Sequence, residues 1–317
     1  MSRVIVVGAG VVGLSAAVRL LEDGHRVDVV ARDLPLETTS AVAGAIWYPY
    51  LAFPRTRVGD WGRTTYAVLD AIADTDPDAG VVLREGTEVF RAPTPDPWWA
   101  DGGPALARET ALPDGYVDGW TFRTPLVEMP VYLRWLAGRV EALGGTITRM
   151  NLSALPSSAD VVVNCTGIGA RLLASDRTVV PNRGQVVVVE QFGLDRWWLD
   201  ASGDDPTYVL PRSHDVVVGG TDLEGEWSRT PSPEVAAGIL ARAARLVPGL
   251  RDARVLRHKV GLRPLRPAVR VERVGDVVHC YGHGGAGVTL SWGCADEVAR
   301  LVGAPGPVSP PLEARRA

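Results

Sequence analysis

Residues 4–33 constrain the fold more than any other stretch. Val4-Ile-Val-Val7 is a run of four β-branched residues that reads as a buried strand and stops at Gly8. Gly8, Gly10 and Gly13 then form G-x-G-x-x-G and open a segment whose apolar residues (Val12, Leu14, Ala16, Ala17, Leu20, Leu21) recur at helical spacing. Gly24 suits a left-handed helix cap, and a second strand follows over Arg26–Ala31. The order strand, glycine turn, helix, strand predicts a βαβ unit. In such a unit Gly8 makes the tight turn, Gly10 lets backbone N–H groups approach a pyrophosphate, and Gly13 lets helix and strand pack closely. Ala9 and Val12 occupy the same turn, and the helix N-terminus offers unpaired N–H groups and a positive dipole end to phosphate. A nucleotide cofactor is therefore expected here; the alternative is a plain βα turn with no ligand. The acidic residue that binds ribose in such folds comes slightly late, as Asp33, with Arg32 beside it as a second polar contact.

The 317 residues are enough for one large domain or two intertwined ones with a substantial core. A formal charge of −4, with no Lys/Arg-rich block, argues against nucleic acid as a partner. No apolar run reaches the length of a membrane span, and the first strand begins too early to leave room for a signal peptide. Cys165, Cys280 and Cys294 sit among apolar or small residues and are expected as buried free thiols in a cytoplasmic protein.

Further along, the hydroxyls of Thr38, Thr39 and Ser40 precede small residues, which suits either a phosphate-touching loop or an ordinary helix start. Residues 51–125 change character. A helix is expected near Gly62–Ala73, then short strands at Val81–Leu83 and Glu88–Phe90. Leu126–Leu143 regains helical spacing and 144–149 resembles a strand. Asp160–Gly167 reads as a buried strand whose polar end returns the chain to the carboxyl edge of a parallel sheet. Val179–Val189 and Thr207–Gly219 read as antiparallel strands. A helix is expected from Pro233 to about Leu246, capped by Ser232 and closed near Gly249.

Two late segments carry chemistry. In Gly261-Leu-Arg-Pro-Leu-Arg-Pro267 each proline biases the preceding arginine, Arg263 or Arg266, toward extended backbone. A rigid arginine fork suits two-pronged capture of a carboxylate, although a surface ion pair fits the same residues. In Tyr281-Gly-His-Gly-Gly-Ala-Gly287 a glycine loop leads into a helix, whose N-terminus would face a bound ligand. No acidic or cysteine partner completes a ligand set with His279 and His283 in a polar setting, so no metal is expected.

These segments resemble the D-amino-acid oxidase family of FAD flavoenzymes from Val4 to about Val302. Gly8–Gly13, Thr38–Trp47, Val163-Asn-Cys-Thr-Gly167, Arg183-Gly-Gln185, Tyr208-Val-Leu-Pro211, Gly261–Pro267 and Tyr281–Gly287 carry the resemblance, the last two most specifically. It implies an α/β protein: a Rossmann-like FAD-binding domain (1–50, 126–185, 262–317) interleaved with an α+β substrate domain built on an antiparallel sheet (51–125, 186–261). It makes Arg263 the partner of the substrate carboxylate, Tyr208 an added hydroxyl donor, and the Gly285 carbonyl an acceptor for the substrate amine. Thr38, Thr39, Ser40, Ala45, Ile46, Val163, Gly284, Gly285, Gly287, Val288 and Thr289 fall on cofactor-contacting positions.

The implied reaction passes a hydride from Cα of a D-amino acid to flavin N5. The imino acid hydrolyses to a 2-oxo acid and ammonia, and O2 reoxidises the flavin to give hydrogen peroxide. Partners are thus a small D-amino acid and O2, with a homodimer as the candidate assembly. Two departures stand out. Asp204 replaces a second active-site tyrosine found in some members, and the polar pair Arg32-Asp33 is reversed. Asp222 lies where an arginine for a second carboxylate would be sought, so neutral or basic D-amino acids are expected over D-aspartate. D-aspartate oxidation, glycine or sarcosine oxidation, and a redox-inactive nucleotide-binding module are the alternatives.

Overall fold

The computed structural model describes residues 1–101, 103–203 and 205–304. Asp204, the tail Glu313–Ala317 and the last part of the expected FAD domain lie outside these residues.

The βαβ unit forms as expected, with β1 at Arg3–Val7, α1 at Val11–Glu22 and β2 at Arg26–Ala31; Gly24 takes φ +81° in the turn after α1. The chain continues through α2 (Arg55–Thr75), β3 (Val81–Phe90), β4 (Ala107–Arg108), β5 (Asp118–Val127), α3 (Met129–Ala142), β6 (Thr146–Arg149), β7 (Val161–Asn164) and α4 (Ala170–Leu173). There follow β8 (Val180–Glu190), β9 (Trp197–Asp200), β10 (Thr207–Pro211), β11 (Asp215–Gly219), β12 (Leu223–Glu224) and α5 (Pro233–Leu246). The last elements are β13 (Val255–Leu265), β14 (Arg270–Val274), β15 (Val277–Tyr281) and α6 (Gly287–Gly303).

Two sheets result. The first has the order β14-β15-β7-β1-β2-β6 and is parallel except for the β14–β15 hairpin. Helices α1 and α6 pack together over it, and Val4, Val6, Leu14, Leu20, Leu290 and Val298 are fully buried between them. Burial on this scale, at about 25 cal/mol per Å², holds the cradle rigid. The second sheet has the order β12-β8-β11-β10-β9-β3-β5-β4, with β13 on β8, and is antiparallel apart from β3–β9. Its other core is formed by α5 against Val187, Val189, Val209, Val216 and Val218. Ser232 caps α5 as expected, its Oγ accepting from Val235 N at 3.2 Å.

Several expectations need correction. Val81–Leu83 and Glu88–Phe90 are one ten-residue strand, interrupted in sequence by polar Arg84-Glu85 and by Gly86, where a Cβ would lie 2.2 Å from Trp197. Leu126 and Val127 end β5 rather than begin a helix, which starts at Met129 with Pro130 in its first turn. The helix expected at Gly62–Ala73 extends over Arg55–Thr75. Thr39–Val42 is a short 3₁₀ turn. The expected domain limits at 185/186 and 261/262 fall inside β8 and β13.

Candidate active site

A cavity of about 780 Å³ runs between the two sheets and is lined by residues from both. That volume suits a sizeable ligand.

At one end backbone dominates. Gly8 sits at φ +116°, and a Cβ there would lie 2.4 Å from the Cys165 carbonyl oxygen; at Gly13 it would lie 2.0 Å from the Gly8 oxygen. Only glycine allows β1, α1 and the end of β7 to meet this closely. Gly10 caps α1, Ser40 Oγ accepts from Val11 N at 3.1 Å, and Ala9, Gly10, Val12, Gly13 and Ser40 all line the cavity. Thr38 and Thr39 line it too, with Thr38 Oγ1 donating to Pro35 O and Thr39 Oγ1 to Leu262 O. Arg32 and Asp33 form a two-pronged pair at 3.1 and 2.7 Å, which holds the Asp33 carboxyl below its ordinary range. Both line the cavity at the end of β2, where a ribose is expected. This cradle fits an ADP-bearing cofactor: three glycines clear the approach and a helix N-terminus faces it.

At the other end side chains dominate. Arg263, half-buried on β13, lies flat on Gly184 of β8, where a Cβ would be 2.5 Å from its guanidinium. Its Nη1 donates to Thr221 O at 2.9 Å, and its charge acts on the Tyr208 phenol nearby. Burial pushes the Tyr208 phenol up, against the pull of Arg263, so it stays a neutral donor. The Tyr208 ring is seated on Gly219 and Gly220, where side chains would collide with it. Ala45 holds φ +62°, a left-handed conformation costly for alanine, beside Gly44, which packs on Tyr208. Ala45, Ile46, Gly284, Gly285, Gly287 and Val288 line the cavity between the two ends, and Gly287 begins α6.

Two expected residues are elsewhere. Val163 is fully buried in the core, and β7 reaches the cavity only beyond its end, through Cys165, Thr166 and Gly167. Thr289 braces the wall, donating to Tyr48 O and accepting from Tyr48 N at 2.9 and 3.0 Å. Arg266 pairs with Asp176 at 2.9 Å outside the cavity, so of the two Pro-flanked arginines only Arg263 is at the site.

Other lining residues were missed. Asn151, Leu152 and Ser153 arrive just past the carboxyl end of β6, the signal that could have found them. Tyr50 packs on Gly285 and donates to Asp222 Oδ2 at 2.5 Å; Asp222 Oδ1 is 4.0 Å from Arg263 Nη1. Tyr48 donates to Glu88 at 2.6 Å, and burial pushes the Glu88 carboxyl up to about 7.

His283 has two cysteine neighbours, Cys280 close in sequence and Cys294 in α6. Its ligand atoms lie within 4.8 Å of those of Cys280 and Cys294, and all three residues are buried. Cys165, Cys294 and His283, the last with Nε2 4.0 Å from Cys280 Sγ, hold the Cys280 thiol well below the ordinary range. All three cysteines are free and buried. His279, beside Asn164, is pushed down to about 4 by burial and Arg270.

Comparison with known proteins agrees with this geometry. A D-amino-acid oxidase of Rubrobacter xylanophilus is 50% identical over 316 residues, 96% of this chain and 97% of that one. A human D-aspartate oxidase is 40% identical over 325 residues, covering 95% and 94%. The glycine oxidase structure from Geobacillus kaustophilus superposes with a TM-score of 0.79 over 95% of each chain at 21% identity, which shows the shared fold. The DAO family, FAD dependent oxidoreductase, matches residues 3–301, and this chain belongs to that FAD-dependent family.

Proposed function

We propose that the protein is a D-amino-acid oxidase acting on neutral or basic D-amino acids. The observation that carries the reading is Arg263, seated on Gly184 and joined by Tyr208, at the end of the cavity away from the nucleotide cradle. A planar guanidinium held from behind offers its free edge to one carboxylate, and the Tyr208 hydroxyl adds a donor to the same group. Gly285, packed on Tyr50, supplies backbone for the amine. With carboxylate and amine both fixed, only one enantiomer can direct its Cα hydrogen toward the cofactor. When bound, FAD supplies the two-electron acceptor for the departing hydride, which O2 regenerates with release of hydrogen peroxide.

Asp222 sets this reading apart from D-aspartate oxidation. It stands 4.0 Å from Arg263 and is held by Tyr50, so a second substrate carboxylate would meet an acid instead of a base. Peroxide release measured with D-alanine, D-valine, D-arginine, D-aspartate and glycine tests the assignment. D-alanine, D-valine or D-arginine should each exceed D-aspartate and glycine in kcat/KM; D-aspartate in first place would overturn it. A cytoplasmic location is part of the same reading, supported by three free buried thiols. No described helix is long and apolar enough to cross a membrane.

A further inference from the structure

The Arg183-Gly-Gln185 motif on β8 has a role that the substrate pocket does not use. Its glycine seats Arg263, but its two long side chains turn to the segment 225–232 that follows β12. Arg183, 4% exposed, donates through Nε to Ser228 O at 2.9 Å and through Nη2 to Thr230 O at 2.8 Å. Gln185, fully buried, donates to Ser232 O at 2.7 Å and accepts from Ser232 N at 2.9 Å and from Arg183 at 3.0 Å. Gly225 N adds a bond to Pro181 O at 2.8 Å. A buried arginine is costly unless its donors are satisfied, and here they are spent on fixing the path of an otherwise exposed loop.

That loop presents two side chains to the cavity, Trp227 and Arg229. Trp227 is 53% exposed and belongs to none of the hydrophobic clusters among the described residues. Arg229 is exposed, and its charge acts on Asp33, which lines the same cavity. Asp33 marks the nucleotide end, so Arg229 stands toward it, with Trp227 two residues before on the same loop. A large aromatic held half in solvent at the rim of a nucleotide cradle, with a cation two residues on, has the chemistry to cover an adenosine and balance a pyrophosphate.

We propose that segment 225–232 is a strap contributed by the substrate-side sheet, which covers the ADP portion of FAD: the Trp227 indole packs on the adenosine, and Arg229 offsets the charge of the pyrophosphate and Asp33. Arg183 and Gln185 are its positioning residues. The cofactor is thereby gripped from both sheets, by backbone on one side and by the strap on the other.

The test is titration of apoprotein with FAD, followed by quenching of flavin fluorescence, for the wild type, Trp227→Phe, Trp227→Ala and Arg229→Ala. Loss of one base–aromatic contact should raise Kd by roughly 5- to 100-fold in Trp227→Ala. Trp227→Phe should restore most of it, and Arg229→Ala should have a smaller effect. Tryptic cleavage after Arg229 in the wild type should slow when FAD is added. An unchanged Kd in Trp227→Ala, a Kd raised equally in Trp227→Phe, or cleavage indifferent to FAD would each overturn the proposal.

Discussion

At the nucleotide end of the cavity the protein works with backbone: Gly8, Gly10 and Gly13 clear space and the N-terminus of α1 faces it. At the other end side chains line the cavity, Arg263, Tyr208 and Tyr50, each supported by a glycine or by another side chain, Tyr50 through Asp222. Backbone recognition needs residues close in sequence, since one turn makes the whole surface. Side-chain recognition draws on β8, β10 and β13, which only the folded sheet brings together. The first end should therefore fail as a unit, through loss of packing, and the second residue by residue, through loss of chemistry.

Arg263→Leu tests that separation with the largest effect. The variant should keep FAD at full stoichiometry while kcat/KM for D-alanine falls by about 3–4 kcal/mol of transition-state stabilisation. Loss of FAD in the same variant would show that the two ends are one unit. Gly13→Ala probes the other end. Its Cβ would lie 2.0 Å from the Gly8 oxygen, a backbone atom that cannot move without parting β1 from α1. A cost near ~3 kcal/mol is expected, at the upper part of the overpacking range. Urea denaturation should show it in the apoprotein, and FAD should be lost alongside; wild-type stability would refute the close-packing account.

A smaller effect sharpens the picture of the substrate side. Glu88 ionises near 7 in the folded chain against an ordinary 4.5, because it is buried. The folded state therefore holds a proton that the unfolded chain has released between these values. Its contribution is complete below about pH 4.5 and is lost as pH rises through 7, on the order of 3 kcal/mol in all. Glu88→Gln should flatten the fall in stability between pH 4.5 and 7. An unchanged slope would mean that the Tyr48–Glu88 pair titrates like an exposed acid.

This contrast also explains what could be read in advance. The βαβ unit, Ser232 as a cap and the helix after Gly285 are local patterns, legible because a few neighbouring residues decide them. Arg263 was legible through its proline and its family motif. Tyr50 with Asp222 was not, since the two are 172 residues apart. Val163 misled because its strand does lead to the cavity, yet in a sheet covered on both faces the strand residues themselves stay in the core. At His283, Cys294 of α6 comes within 4.8 Å, which the spacing of two histidines does not reveal.

The account's central claim is that this FAD site takes its substrate by the carboxylate and in one hand only. Anaerobic mixing of the FAD-loaded protein with D-alanine, then separately with L-alanine, reads both at once from the flavin absorbance. Bleaching with D-alanine alone is the predicted result. Equal bleaching with L-alanine, or bleaching with neither this pair nor any other neutral or basic D-amino acid, would contradict it.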